Sequence, residues 1–300
     1  MATILTYNIS ENIKNTSLAL GFFDGVHKGH QKVLNDAISY SKKLGTKSVV
    51  LTFKNHPVEV LYNVKPEFIT TYQERVEIFK NMGFDYVIMA DFTKRLSDMN
   101  AEDYFNHILM PLKPKSISIG YNHLFGAKQS GNIEFLTEKS KHNDFILSVS
   151  SPVKQKNEVT SSTLIRNLIK EGEVKKAHEL LDKPYKITNT VIHGKKRGTE
   201  INYPTANLQF PDKKILPKFG VYSGNVLIDS KRYKAIANIG LRPTFNDLTE
   251  PIAEIHILNF NSDIYDKTIS FEFLNMIRTE MKFPNIDKLK EQIKKDILSI

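Results

Sequence analysis

The sequence of 300 residues contains no cysteine. This excludes disulfides and thiolate metal sites, so a bound metal would use histidine, carboxylate or phosphate ligands. No apolar run approaches the length needed to cross a membrane. Residues 1–20 contain polar Asn, Lys, Glu and Thr instead of the basic start and apolar run of an export signal. These absences predict a cytoplasmic protein that is neither exported nor embedded in a membrane.

The chain also lacks a concentrated region of positive charge. It has 42 Lys and Arg residues against 33 Asp and Glu residues, a net charge of +9, but the basic residues are scattered in ones, twos and threes. Nucleic-acid-binding surfaces usually show clustered basic residues. The pattern therefore favours multiply charged small substrates such as nucleotides over nucleic acid. It does not specify the oligomeric state, and oligomerisation stays open.

The length and the apolar fraction of 40% are typical of a globular protein with two domains. In the N-terminal half, short apolar runs alternate with amphipathic segments, which predicts a parallel sheet covered by helices. The first of these helices is expected to end at Gly45. Its apolar face carries Val33, Leu34, Ala37, Ile38 and Ser41.

The pattern changes at Pro184, after two short helical segments. Beyond it, segments of period two are separated by Gly, Pro, Asn and Asp turns, which predicts an antiparallel barrel or sandwich. The last segment has a helical apolar spacing and is expected to pack on the barrel. That spacing is formed by Ile286, Leu289, Ile293 and Ile297. We expect one domain over 1–182 and another over 183–300.

The segment GFFDGVHKGH (21–30) follows an apolar strand and leads directly into a helix, which is where open α/β sheets bind ligands. Gly25 and Gly29 allow a phosphate close to the backbone, and the helix start offers free N–H groups. His27 and His30 can hydrogen-bond phosphoryl oxygens that gain charge as a leaving group departs. The alternatives are two surface histidines at a helix cap, or a zinc pair without a third ligand at a recognisable spacing.

Two further segments are suited to phosphate. SSTLIR (161–166) combines hydroxyls and amides at a helix start with Arg166, although alone it is more typical of a capped helix. In the second half, the basic loop HGKKRG (193–198) precedes PTAN, in which Thr205 and Asn207 offer hard oxygen ligands for Mg²⁺ carrying ATP phosphates. Taken alone, both of these are typical of turns.

Nine segments together resemble the prokaryotic bifunctional riboflavin kinase/FAD synthetase family over nearly the whole chain. They are GFFDGVHKGH, TFKNHP, GYNHLFG, SSTLIR, HGKKRG, YPTANL, GVYSG, NIGLRPTF and AEIHILNF, in this order. The resemblance implies an N-terminal Rossmann-like nucleotidyltransferase domain and a C-terminal six-stranded antiparallel β-barrel with a terminal helix. The barrel would phosphorylate riboflavin to FMN with ATP, and the N-terminal domain would adenylylate FMN to FAD, releasing pyrophosphate. Both reactions would require Mg²⁺.

The resemblance also implies roles for individual residues. His27, His30 and Asn122 would act at the adenylyl-transfer centre, with Asn122 also near the flavin. ATP would contact Gly21, Phe22, Asp24, Gly25, His27, Gly29, His30, Ser161, Ser162, Thr163 and Arg166 in the first half. In the second half it would contact Gly194, Lys195, Gly198, Thr205 and Asn207, the last two also holding the metal. Glu254 would be the base that deprotonates the ribityl hydroxyl, and Arg278 and Phe283 would lie beside the flavin.

Some alternatives stay open. Strand alternation alone makes Glu254 an outward-facing carboxylate, and Asp266 stands where the family usually has glycine, which puts the shape of that turn in question. A single-activity nucleotidyltransferase acting on another phosphorylated substrate is one alternative function. A flavin-binding regulator that contacts RNA is another.

Overall fold

The computed structural model of the chain describes residues 3–6, 13–155, 157–194, 198, 201–229, 231–243 and 249–300. These residues form two compact units, 1–162 and 163–300. The predicted boundary at 182/183 lies elsewhere in the chain and stays a prediction.

The first unit is built around a six-stranded sheet in which every neighbouring pair is parallel. Its strands are β1 (Thr3–Thr6), β2 (Thr16–Leu20), β3 (Lys47–Phe53), β4 (Tyr86–Ala90), β5 (Pro114–Gly120) and β6 (Ile146–Ser150). A small antiparallel pair follows, β7 (Lys154–Gln155) with β8 (Glu158–Val159). The strand order is β1-β4-β3-β2-β5-β6, so the order reverses beside β2. Ligands of open α/β sheets bind at the carboxyl ends of the strands at such a reversal.

Helices cover both faces of this sheet. They are α1 (Lys28–Leu44), α2 (Pro57–Tyr62), α3 (Tyr72–Asn81), α4 (Lys94–Asp98), α5 (Ala101–Tyr104) and α6 (Ile133–His142), with a π-helical turn at Phe105–Leu109. Alternation along the strands divides the core, because neighbouring strand residues face opposite sides. Leu18 packs in one cluster with Phe105, whereas Ala19 packs in the other with Leu34 and Phe79.

The second unit begins with helix α7 (Ser162–Lys170), whose first residue still belongs to the first unit, and α8 (Val174–Leu181). Its six strands are β9 (Lys186–Thr190), β10 (Ala206–Gln209), β11 (Gly220–Ile228), β12 (Lys231–Pro243), β13 (Thr249–Ile257) and β14 (Thr268–Thr279), and helix α9 (Ile286–Leu298) ends the chain. All pairings are antiparallel, in the order β10-β13-β12-β11-β14-β9.

The two edge strands of this sheet approach each other and nearly close it into a barrel. Ile192, just after β9, forms an antiparallel bridge with Asn207 of β10, and the Asn189 amide donates to the carbonyl of Gln209 at 3.0 Å. Phe271 and Phe273 of β14 are fully buried in its interior. The predicted combination of a parallel α/β domain and a six-stranded barrel with a terminal helix is confirmed.

The terminal helix differs from its prediction in one respect. Ile286, which was expected to face the barrel, is 59% exposed. The buried residue of α9 is Asp296, near the other end of the helix. A helical apolar spacing identifies a face of a helix, but it does not tell which of its turns reaches the core.

Candidate active sites

The turn between β2 and α1, residues 21–27, is called the histidine turn and has a strained backbone. Phe23, Gly25 and Val26 have φ of 58°, 78° and 46°. Glycine adopts positive φ readily, but a β-branched residue there is a clear outlier. Such strain persists only where surrounding contacts hold it, and it concentrates at functional sites. The turn lies at the carboxyl end of β2, beside the reversal of strand order.

Contacts from the segment before α3 hold this turn. The Asp24 side chain is 2% exposed. Its carboxylate accepts from the Ile69 N–H at 3.1 Å, from the Thr70 N–H at 3.0 Å and from the Thr70 hydroxyl at 3.1 Å. The Gly25 N–H donates to Thr70 Oγ1 at 2.8 Å. Asp24 was predicted to contact ATP, and these bonds show that its carboxylate faces the protein.

The two histidines of the motif converge at the start of α1. His27 is the N-cap residue, and its Nδ1 accepts from the His30 N–H at 3.3 Å. The two imidazole rings are stacked, with their centroids 3.6 Å apart. A Cβ at Gly29 would lie 3.1 Å from His27 Cε1, so only glycine leaves this ring undisturbed. The spacing i and i+3 therefore brings both rings to one point at the N-terminal end of α1.

Two other predicted residues lie at the same region of the first unit. The Ser162 hydroxyl donates to the carbonyl of Asp24 at 3.0 Å, which ties the start of SSTLIR to the histidine turn. Asn122 follows β5, the neighbour of β2, and its Oδ1 would be 3.5 Å from a Cβ at Gly120. Thr163 and Arg166 follow on α7, in the second unit. The first unit thus brings His27, Ser162 and Asn122 to one edge of its sheet.

Next to Asn122, the imidazole of His123 is packed beside the ring of Phe125, with the centroids 5.8 Å apart. Burial lowers the pKa of His123 to about 4, because desolvation disfavours the charged ring. His123 is therefore neutral at physiological pH.

In the second unit, three polar side chains form a row across neighbouring strands. Glu254 of β13 pairs with Asn207 of β10 on one side and with Asn238 of β12 on the other. Directly paired residues project their side chains to the same face. Asn207 is 4% exposed, whereas Glu254 is exposed to solvent. Glu254 therefore presents an exposed carboxylate on the same face as a buried amide, and it faces outward as strand alternation predicted.

Gly194 lies against Asn207 of this row, and Gly198 lies beside Thr205. A Cβ at Gly194 would be 3.1 Å from Asn207 Cγ and would overlap its amide nitrogen. A Cβ at Gly198 would lie 3.3 Å from Thr205 Oγ1 and would overlap the carbonyl of Tyr203. The two glycines thus leave a cradle around the Thr205 hydroxyl and the Asn207 amide. Lys195, also predicted here, lies outside the described residues.

The predicted flavin-side residues Arg278 and Phe283 contact each other, with Arg278 Cζ 5.7 Å from the ring centroid of Phe283. The Arg278 guanidinium also forms a two-pronged ion pair with the buried Asp296 of α9, through Nε at 3.0 Å and Nη2 at 2.9 Å. Its Nη1 donates to the carbonyl of Thr279. Arg278 therefore fastens α9 to β14, and its contact with flavin stays a prediction.

The turn at Asp266 keeps the conformation that glycine favours. Asp266 has φ of 61°, and its N–H donates to the carbonyl of Val191 at 3.1 Å. Aspartate tolerates the left-handed region better than most residues. An aspartate in place of the expected glycine is thus compatible with a left-handed conformation at this turn.

Sequence reasoning missed two residues that hold the histidine turn, Thr70 and Arg75. Arg75 is 1% exposed and donates to the carbonyl of Phe22 at 2.8 Å. In the sequence both belong to ITTYQERVE, where Thr71 and Glu74 form a capping box that signals only the start of a helix. The spacing of residues in this segment does not show that Thr70 and Arg75 contact a distant turn.

Within the described residues, no helix is long and apolar enough to cross a membrane, and no group of three or more His, Asp or Glu side chains is arranged to hold a metal ion. The fold and the two clusters of predicted residues define a class of protein with two units, a parallel α/β unit of the type that binds ligands at a reversal of strand order and a six-stranded antiparallel barrel unit.

Comparison with known proteins specifies this class. A family model for FAD synthetase matches residues 9–164, and one for riboflavin kinase matches residues 181–300. Relatives include the bifunctional riboflavin kinase/FMN adenylyltransferases of Listeria monocytogenes, 34% identical over 94% of this chain and 90% of the relative, and of Buchnera aphidicola from Schizaphis graminum, 35% identical over 97% and 95%. The chain belongs to the family of bifunctional riboflavin kinase/FMN adenylyltransferases.

A solved structure covers almost the same length. It is described as a macrolide-efflux protein from Streptococcus pneumoniae, and it is 32% identical with a TM-score of 0.89 over 98% of this chain and 97% of its own. That likeness extends through both units of the fold.

Proposed function

We propose that each unit carries one of two consecutive reactions of flavin cofactor synthesis, at the two sites described above. The barrel transfers the γ-phosphate of ATP to riboflavin, giving FMN and ADP. The first unit then joins FMN to the AMP part of a second ATP, giving FAD and pyrophosphate. The observation that carries this proposal is the agreement between the two family matches and the two separate clusters of predicted residues.

In the first unit, His27 and His30 are proposed to hydrogen-bond the ATP phosphates. Adenylyl transfer breaks the bond between the α- and β-phosphates as a flavin phosphate oxygen attacks the α-phosphorus, so negative charge grows on the departing pyrophosphate. Donors fixed before the reaction stabilise that charge. The stacked rings and the N-terminal end of α1 are suited to supply such donors. Ser161, Ser162, Thr163 and Arg166 are proposed to bind the triphosphate, and Asn122 to act at the transfer centre.

In the barrel, Glu254 is proposed to accept the proton of the ribityl 5′-hydroxyl as this oxygen attacks the γ-phosphorus. A base needs access to its substrate, and the exposed carboxylate above Asn207 has it. Thr205 and Asn207 are proposed to hold Mg²⁺ together with ATP phosphates. The cradle left by Gly194 and Gly198 fits this role, because Mg²⁺ takes few protein ligands and needs room for phosphate oxygens. Bound there, Mg²⁺ would offset phosphate charge.

Riboflavin, FMN and ATP are thus the proposed small-molecule partners, and the proposed location is the cytoplasm. The remaining predicted ATP contacts, Gly21, Phe22 and Asp24, are proposed to act through their backbone. For Asp24 this follows from the carboxylate bonds to Ile69 and Thr70.

The proposal is tested by following riboflavin, FMN and FAD by liquid chromatography after mixing the pure protein with riboflavin, ATP and Mg²⁺. Transient FMN followed by FAD is expected. His27→Ala should lower FAD formation about 10²- to 10³-fold, the usual cost of one fixed transition-state donor, and leave FMN formation unchanged. His142→Ala is the matched control, since this imidazole is 73% exposed on α6.

Parental FAD formation by a folded His27→Ala protein would remove the histidine turn from the mechanism. FMN without FAD from the parental protein, even when FMN and ATP are supplied, would support a single-activity enzyme instead.

A further inference from the structure

Arg75 of α3 is a buried cation. Its side chain is 1% exposed, and burial lowers its pKa to about 10, with the nearby Asp24 carboxylate acting in the opposite direction. Burying a charge is costly unless hydrogen bonds and opposite charge compensate for it. The groups that hydrogen-bond the Arg75 guanidinium therefore indicate the role of this buried cation.

The guanidinium joins the carboxyl ends of two adjacent strands. Nη1 donates to the carbonyl of Phe22, after β2, at 2.8 Å, and Nη2 donates to the carbonyl of Lys54, after β3, at 3.1 Å. The guanidinium also lies over the Phe22 ring, with Cζ 4.3 Å from the centroid. This is the edge of the sheet at which the histidine turn begins.

The carbonyl of Phe22 is held twice, since the Thr52 hydroxyl also donates to it at 3.0 Å. The strained residues begin directly after it, at Phe23. Thr70 contacts the next two residues of the turn: its hydroxyl donates to the Asp24 carboxylate and accepts from the Gly25 N–H. Arg75 and Thr70 thus anchor the turn on both sides of its first strained residue. Strain of this kind persists only where the surroundings over-determine it.

We propose that Arg75, assisted by Thr70, is a positioning residue for adenylyl transfer. It fixes the strained turn so that the His27 and His30 rings and the N–H groups of α1 face the reacting phosphates, and it acts through the backbone. The proposal rests on the assignment of the histidine turn as the adenylylation site. Displacing catalytic groups by about 1 Å costs on the order of 10² in rate.

The test uses the full chain with Arg75→Met, Arg75→Lys and Arg95→Met, the last as a control because Arg95 is exposed on α4. For FAD formation from FMN and ATP, Arg75→Met should lower kcat about 10²-fold and change the KM for ATP much less, because the turn acts most strongly on transition-state contacts. Arg75→Lys should recover only part of kcat, since one ammonium lacks the two-pronged reach of the guanidinium. FMN formation should stay parental in all three.

Thr70→Val gives a second variant, with Thr70→Ser as its matched control that keeps the hydroxyl. If Arg75→Met does not fold, the Thr70 variants test the proposal instead. Thr70→Val should lower kcat about 10-fold, whereas Thr70→Ser should keep the parental kcat. Folding of each variant is checked by near-ultraviolet circular dichroism.

Parental kcat in folded Arg75→Met or in folded Thr70→Val would overturn the proposal, as would a lower melting temperature without a change in kcat. His27→Ala distinguishes a failure of the positioning role from a failure of the site assignment. If it loses FAD formation while the anchoring variants do not, only the positioning role fails. If it keeps FAD formation, the assignment of the histidine turn fails.

Discussion

Replacing Glu254 by glutamine tests the chemistry of the barrel most directly. The change preserves the size of the side chain and removes its ability to accept a proton. A general base contributes about 10²- to 10⁴-fold to a rate, which corresponds to roughly 3 to 5 kcal/mol in the activation barrier. Because Glu254 is exposed on β13, we expect the free energy of unfolding to change by less than about 0.5 kcal/mol. The loss should therefore be catalytic.

Glu250→Gln is the matched control. Glu250 lies on the same strand and the same face, roughly 13 Å away along β13, and its carboxylate accepts from Gln209. The assay measures initial FMN formation from riboflavin, ATP and Mg²⁺, and then FAD formation from supplied FMN. Glu254→Gln should lose the first and keep the second, whereas Glu250→Gln should keep both.

Parental FMN formation by Glu254→Gln would refute the role of this carboxylate as the base. An equal loss of FMN formation in both variants would mean that the reaction depends on negative charge along β13 and not on a specific base. Loss of both activities in Glu254→Gln would contradict the assignment of one reaction to each unit.

Three further predictions concern other parts of the molecule. Gly194→Ala should lower FMN formation at least 10-fold at unchanged FAD formation, measured by the same chromatography, because its Cβ would overlap the Asn207 amide. Asp296→Ala should destabilise the barrel unit by about 3 kcal/mol in urea unfolding, because it leaves the Arg278 guanidinium without its buried partner. His123, with its pKa lowered to about 4, makes the first unit less stable as pH falls from about 6.5 to 4, since the unfolded chain binds the proton there first. His123→Gln should flatten that part of the pH dependence of unfolding, and an unchanged curve would contradict it.

The elements that follow a single periodic signal could be predicted from the sequence. In α1, Val33, Leu34 and Ala37 are buried as their spacing predicted, and Gly45 ends the helix with φ of 63°. The convergence of His27 and His30 also followed from their spacing, because residues three apart on a helix start share a face.

Contacts between distant segments could not be predicted in this way. Arg75 reads as an ordinary polar residue of an amphipathic helix, and only the fold brings its guanidinium to the carbonyls of Phe22 and Lys54, 53 and 21 residues away. The carboxylate of Asp24 is a second example of a contact that the sequence did not predict. Its place in a ligand-binding motif predicts a contact with ATP, which stays a prediction, but that motif does not show that its carboxylate accepts from the backbone N–H groups of Ile69 and Thr70.

The two sites differ in how they depend on their surroundings. The proposed adenylylation site consists largely of two rings and the N-terminal end of α1 after a strained turn, so we expect Arg75 and Thr70, which hold that turn, to control its geometry. The proposed kinase site uses Glu254 and Asn207, which lie on paired strands whose register is fixed by main-chain hydrogen bonds. Substitutions around the first site should therefore reduce its rate from a distance. Around the second site, large losses of rate should be confined to substitutions of the side chains in the row and of the glycines of the cradle.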